Sequence, residues 1–133
     1  MKIDKHTYIV SPMRVLYETP ENELVIGKFC SIADHVTVFL GGNHRVDWIS
    51  TYPFSVLWPG FSHIQGHPSS RGGVTIENDV WVGLEAVILS GVTIQNGAAI
   101  SAHSVVGSNV GPYEIWGGNP AKCLRTRFPQ KDI

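Results

Sequence analysis

Cysteine is scarce in this chain: the 133 residues contain two, Cys30 and Cys123. They are too few and too far apart for a disulfide framework, and neither belongs to a Cys-x-x-Cys pair, so both read as reduced thiols. Surplus charge is missing as well. Ten lysines and arginines face eleven aspartates and glutamates, a formal net charge of −1, which leaves no basic footprint for nucleic acid or for an anionic membrane surface. No apolar run approaches the roughly 20 residues needed to cross a bilayer. The opening residues MKIDKHTYIV lack the apolar stretch of a signal peptide. These absences predict a soluble cytoplasmic protein with no nucleic-acid partner and no membrane insertion. The length fits one compact domain over residues 1–133.

Glycine and proline are plentiful by contrast, 14 and 8 residues, in a chain that is not low-complexity, which suggests many turns between short strands. From Ile76 onward an aliphatic residue returns every six positions, at Val82, Ile88, Ile94, Ile100 and Val106. Four residues after each comes a small or β-branched side chain, from Val80 and Ala86 through Val92 and Ala98 to Ser104 and Val110. A helix needs a period of 3.6 and an ordinary strand a period of two, so a six-residue phase fits neither. It fits a hexapeptide β-helix, in which each hexad is a short strand plus a turn and three hexads make one triangular coil.

The same spacing appears at Ile3 and Ile9 and again at Ile26, Ile32 and Val38, with Cys30 and Val36 in the small positions. Two segments break the phase, residues 10–24 and a longer stretch at about 39–73. The expected fold is therefore all-β, a parallel β-helix with a loop extruded at 39–73. Long excursions from a regular scaffold commonly carry function. This one holds Trp48, Tyr52, Phe54, Trp58 and Phe61, rings that are costly to expose without a partner surface.

The chain resembles the hexapeptide-repeat acyltransferases, and within them the xenobiotic acetyltransferase branch with its streptogramin and type B chloramphenicol enzymes and its polysaccharide O-acetyltransferase relatives. The resemblance rests on IGKFCSIADHVTV (26–38), GGNHRVDWISTYPF (41–54), VTIENDVWVGLEAVILSGVTI (74–94) and GGNPAKCLRTRF (117–128). The hexads point to the superfamily; Asn43-His44 followed by Ser50-Thr51-Tyr52-Pro53-Phe54 is the more specific signal. The resemblance implies a left-handed coil, an exception to the right-handed crossover rule. It also implies homotrimers with active sites between subunits, acetyl-CoA as acyl donor, no metal, and transfer to a hydroxyl or amine of a small-molecule or saccharide acceptor.

In such enzymes the histidine matching His44 removes the acceptor's proton as it attacks the thioester. An unperturbed imidazole, neutral near pH 7, suits both that step and the return of a proton to the departing thiolate. Trp81, in the V-W-V-G run, matches the tryptophan that lines the pantetheine cleft. Gly83 and Ala102 match positions where the cofactor arm passes close to backbone. Gly107 and Ser108 stand where many relatives carry a Thr-Lys pair, so phosphate binding is expected to lean on Lys122, Arg125 and Arg127 in the tail. Trp48, Tyr52 and Trp58 are the candidate acceptor-stacking rings. Antibiotic-modifying relatives continue into a C-terminal helix, whereas this chain stops at Ile133.

Competing readings attach to several of these residues. Cys30 occupies a small core position and reads as a buried apolar side chain rather than a nucleophile. His63 and His67, four apart, would need a further ligand to hold zinc as in a γ-class carbonic anhydrase. Asp47, three residues after His44, is a candidate to orient its imidazole. A zinc lyase on the same fold and a non-catalytic β-solenoid are the rival functions.

Overall fold

A computed structural model describes residues 1–133. Three strands per coil stack into three parallel sheets. The first coil carries β1 (Lys2–Ile3), β2 (Tyr8–Ile9) and β3 (Arg14–Leu16), and the second β4 (Leu24–Ile26), β5 (Ser31–Ile32) and β6 (Thr37–Phe39). After the loop come β7 (Val74–Ile76), β8 (Trp81–Val82) and β9 (Val87–Ile88), then β10 (Thr93–Ile94), β11 (Ala99–Ile100) and β12 (Val105–Val106). The sheets run β1-β4-β7-β10, β2-β5-β8-β11 and β3-β6-β9-β12. The helix is left-handed, as in the hexapeptide-repeat acyltransferases.

Register follows the six-residue phase directly. Ile76 pairs with Ile94, Val82 with Ile100 and Ile88 with Val106, so eighteen residues, three hexads, make one coil. Ile26, Ile32, Val82, Ile88, Ile94 and Ile100 are at most 1% exposed. Burying each such side chain contributes about 1.5–3 kcal/mol relative to exposure. The small positions fill the space between, and Cys30 and Ala86 among them are fully buried. Ser104 is buried too, and its hydroxyl donates to the Ser101 carbonyl at 2.6 Å, which satisfies the one polar group this rung places in the core.

The corners have a rule of their own. Phe29, His35, Asp79, Glu85, Gly91, Gly97 and His103 all have φ between 55° and 81°, and each immediately precedes a small core position. Five of these seven carry side chains, for which the left-handed region costs roughly 1–2 kcal/mol per residue. A hydrogen bond to the adjacent coil offsets that cost: Asp79 N–H donates to Lys28 O at 2.9 Å, Glu85 to Asp34 at 2.9 Å and His103 to Leu84 at 2.8 Å.

Two expectations about the interruptions change. The repeat does not stop at residue 10, because Val15 sits six residues after Ile9 and pairs with Val38; the break is confined to the turn region between β3 and β4. The long loop begins at Leu40 rather than Phe39, which closes β6 against Leu16. Beyond the last coil, Val110 bridges to Ile94. The chain then forms an antiparallel hairpin of β13 (Glu114–Gly118) and β14 (Ala121–Thr126), with β13 laid parallel on β11. The GGNPAK segment forms the turn of that hairpin and the strand ends beside it.

Candidate active site

The loop between β6 and β7 is pinned at its base by Asn43. Its backbone N–H donates to Ser69 O at 2.9 Å, and Ser69 N–H donates back at 2.8 Å. The Asn43 side-chain amide donates to Ser90 Oγ at 3.1 Å, and this buried hydroxyl also accepts the Arg71 N–H at 3.2 Å. One hydroxyl on the third coil thus holds both the outgoing and the returning strand of the loop. The next residue, His44, stands exposed.

His44 Nδ1 lies 2.8 Å from the backbone carbonyl oxygen of Thr51. A carbonyl only accepts, so the neutral ring carries its proton on Nδ1 and leaves the Nε2 lone pair free to take another. The second half of the N-H…S-T-Y-P-F signature therefore supplies the group that orients the first half. Asp47 does not orient the imidazole as expected. Its carboxylate is held by Arg45 through Nε at 2.8 Å and Nη2 at 2.5 Å. This bidentate hydrogen bond lowers the Asp47 pKa and raises that of Arg45. The same guanidinium lies 5.0 Å from the Trp48 ring centroid and donates to Gly66 O at 3.3 Å.

A cleft of about 440 Å³ is lined by Trp48, Tyr52, Phe54, Ile64 and His67 together with Asp47 and Ser50; His44 does not line it and adjoins it through the His67 ring. Two of the three candidate acceptor-stacking rings, Trp48 and Tyr52, line it. Trp58 does not; it packs on Phe54 and Phe61, at 6.1 and 6.4 Å between centroids, and is 53% exposed. The loop aromatics thus meet mainly one another, within α1 (Phe54–Leu57) and the 3₁₀ turn Pro59–Phe61. His67, weighed only as a metal ligand, is buried against the His44 ring, with centroids 5.0 Å apart and planes at 82°. Nothing in its sequence context marks this role, since 23 residues separate it from His44. Its Nδ1 accepts the Arg45 N–H at 3.2 Å. No group of three or more His, Cys, Asp or Glu side chains is arranged to hold a metal ion.

The candidate cofactor residues lie outside that cleft. Trp81 is 60% exposed on β8 and lines a second cleft, of about 210 Å³, with Phe29, Asp79, Ala99 and Arg127. Arg127 is committed structurally: it donates to Gly97 O at 2.8 Å, pairs with Asp79 at 3.6 Å and lies over the Tyr113 and Phe128 rings. Gly83 departs from its expected role. It is buried, its N–H donates to Ile100 O, its carbonyl accepts Ala86 N–H, and a Cβ there would meet Ala102 N at 2.6 Å. Glycine at 83 answers to the coil stacked on it, and its N–H is taken up by that coil. Ala102 is an exposed corner residue. The Gly107 carbonyl accepts Arg71 Nη1 at 3.3 Å, which sets a cation beside the Gly107-Ser108 pair. Lys122 and Arg125 are exposed on β14. Cys30 has its thiol pKa raised by burial and Cys123 by desolvation and by Glu114, so neither is a ready nucleophile.

No family model matches the chain. It is 39% identical over 132 residues to a chloramphenicol acetyltransferase of Agrobacterium fabrum, covering 96% of this chain and 63% of that one. It is 42% identical over 121 residues to a protein named "Probable macrolide acetyltransferase" from Lysinibacillus sphaericus, covering 88% of this chain and 67% of that one. The chain therefore spans about two thirds of the length of these curated relatives. Among solved structures, a hexapeptide-repeat-containing acetyltransferase from Vibrio cholerae superposes with a TM-score of 0.70 at 27% identity, covering 93% of this chain and 61% of that one.

Proposed function

The chain belongs to the hexapeptide-repeat acetyltransferases, in the branch of the chloramphenicol and macrolide enzymes, and on that premise we propose that it transfers the acetyl group of acetyl-CoA to a hydroxyl of a small-molecule or saccharide acceptor. The observation that carries this reading is His44, its Nδ1–H held by Thr51 O and its Nε2 free, beside a cleft walled by Trp48 and Tyr52.

The reaction is a direct transfer. As the acceptor oxygen attacks the thioester carbonyl carbon, its proton passes to His44 Nε2. The tetrahedral intermediate then collapses, the carbon–sulfur bond breaks, and the thiolate takes the proton back from Nε2. The acetyl ester and CoA thiol leave, and no acyl-enzyme is needed. The Thr51 carbonyl stabilises the imidazolium formed between the two proton transfers, because its hydrogen bond strengthens when the ring is charged.

We place the cofactor arm along Trp81 and its phosphates toward the cations Lys122, Arg125 and Arg71. The active assembly is a cytoplasmic homotrimer. Val46, Ile49, Val56 and Trp58, between 53% and 111% exposed, favour that state because such apolar surface on a loop is what a neighbouring subunit covers. The test is release of free thiol from acetyl-CoA in the presence of chloramphenicol, erythromycin, virginiamycin M and methyl α-D-glucopyranoside. Acceptor-dependent thiol release supports the assignment. Thiol release that no acceptor stimulates overturns it.

A further inference from the structure

His67 leaves one polar atom to be explained. The ring is 7% exposed, and its Nε2 is closed to solvent and has no hydrogen-bond partner, the one buried side-chain nitrogen or oxygen in the protein left so. The other ring nitrogen settles the tautomer. Nδ1 accepts the Arg45 backbone N–H at 3.2 Å, and an amide only donates, so the neutral ring carries its proton on Nε2. A buried N–H with no oxygen or nitrogen to meet costs free energy. Because the atom is closed to solvent, neither water nor a ligand reaches it, and its partner has to be a group already packed against the ring.

Two aromatic rings are packed there. The Trp48 ring lies 5.8 Å away, centroid to centroid, with its plane tilted by 33°, and the His44 ring 5.0 Å away with its plane at 82°. An N–H lies in the plane of its own ring, so it meets a neighbouring π face squarely only where the two planes stand nearly perpendicular. The electron-rich face of an aromatic ring accepts such a donor, and edge-to-face is an arrangement that ring quadrupoles favour. The angles therefore select His44 over Trp48 as the partner.

We propose that His67 is a positioning residue whose Nε2–H donates into the π face of the His44 imidazole. The need for this second contact follows from the first. The hydrogen bond between His44 Nδ1 and Thr51 O at 2.8 Å fixes one direction of the ring, and an exposed ring held by a single bond still turns about it. A donor against the face stops that rotation and so sets the direction of the free Nε2 lone pair. His67 is itself anchored, because the Arg45 N–H holds its Nδ1 and Ser55 Oγ donates to its carbonyl at 3.3 Å. The nearest charges, Arg45 and Asp47, are bound to each other and leave the two rings to interact as neutral groups. The effect on turnover rests on the assignment of His44 as base; the contact itself does not.

The contact is read first by NMR of the wild-type chain, isotope-labelled at its histidines, which needs no variant to fold. His67 shows an Nε2–H signal that exchanges slowly with water, is shifted upfield by the ring current of His44 and cross-relaxes with the His44 ring protons. In His44→Ala the same signal moves downfield. Two variants then separate the nitrogens of His67. An asparagine oxygen falls near Nδ1, so His67→Asn keeps an acceptor for the Arg45 amide and removes the donor, whereas a glutamine amide nitrogen reaches the Nε2 position, so His67→Gln keeps the donor. The His44 Nδ1–H signal, protected in the wild type by Thr51 O, is lost to exchange with water in His67→Asn and retained in His67→Gln. With an acceptor that supports thiol release, kcat falls about tenfold in His67→Asn through misplacement of the base, KM for acetyl-CoA is unchanged, and His67→Gln recovers most of kcat. A rapidly exchanging His67 Nε2–H, a shift that His44→Ala leaves in place, or equal losses in the two His67 variants overturns the proposal. The full set of NMR signatures together with unchanged turnover in His44→Ala leaves the contact standing and removes the assignment of His44 as base instead.

Discussion

The Nδ1 of His44 and the backbone carbonyl of Thr51, seven residues on, lie 2.8 Å apart. Because the orienting group is a carbonyl and not a carboxylate, the imidazole gains a fixed tautomer without a neighbouring negative charge. The side chain that sequence proximity offered for that duty, Asp47, is engaged by Arg45 instead.

Replacing His44 with alanine removes the base together with its hydrogen bond to Thr51 O and its contact with the buried His67 ring, and leaves the coils untouched. Turnover with any accepted substrate falls by roughly 10²–10⁴, while stability falls by no more than the hydrogen bond to Thr51, about 1 kcal/mol, and the protein stays folded. Thiol release and a thermal melt, run on the same preparation, check both halves. Unchanged turnover would remove His44 from the mechanism.

The Arg45–Asp47 pair gives the loop a signature in acid. Asp47 has a lowered pKa in the folded chain, chiefly from the Arg45 hydrogen bond, so its stabilising contribution is present above the ordinary carboxylate value of about 3.9 and is lost as pH falls through the lower folded value. Trp48 packs against that guanidinium and reports on it. Its fluorescence in the wild type changes in a step below about pH 4, and Asp47→Asn abolishes the step while leaving neutral-pH turnover within about tenfold. A step that survives in Asp47→Asn assigns the transition to another group.

Gly83 and Gly107 separate two reasons for a glycine. A methyl group at 83 meets Ala102 N at 2.6 Å and Ile100 O at 2.8 Å, whereas at 107 its nearest neighbour is Leu89 Cδ1 at 3.4 Å. Gly83→Ala forces two coils apart and costs about 1–3 kcal/mol. Gly107→Ala is near neutral. Urea denaturation of the two variants should show a lowered midpoint for the first alone.

How far the sequence reached follows from what each feature depends on. The six-residue phase fixed the core because burial in a stacked coil is periodic, so Ile76 through Val106 could be placed by counting. Val15 escaped notice although it continues the Ile3, Ile9 spacing, because the polar turn after it obscures the phase. The left-handed corners at Asp79, Glu85 and His103 are invisible to propensity, since they depend on hydrogen bonds to the neighbouring coil. Handedness came only with the resemblance. At the site, the motif singles out His44 as the candidate base. The Thr51 carbonyl, the capture of Asp47 by Arg45 and the packing of His67 were not legible, for each is a tertiary contact within a loop without periodicity. Gly83 belongs with these: sequence shows that a side chain is absent, and only the stacked coil shows what occupies the space.

Asn43 and Ser90 offer the sharpest test of how the scaffold governs the site. The Asn43 amide donates to Ser90 Oγ at 3.1 Å, while the backbone bridge between Asn43 and Ser69 does not depend on either side chain. Asn43→Ala therefore loses one hydrogen bond of about 1 kcal/mol and keeps the bridge, so the coils remain stable and the loop docks less tightly. Displacing His44 by a fraction of an ångström is enough to lower turnover up to roughly 10²-fold, since catalysis depends steeply on placement. Ser90→Ala removes the other partner and also orphans the Arg71 N–H, so its loss is equal or slightly larger. The two changes act on one contact, and the double variant is expected to be no worse than Ser90→Ala alone. Additive losses in turnover would mean that Asn43 supports His44 by some route other than this hydroxyl. Faster proteolysis within residues 45–66 in Asn43→Ala, with an unchanged midpoint for the coils, distinguishes loosened docking from global destabilisation.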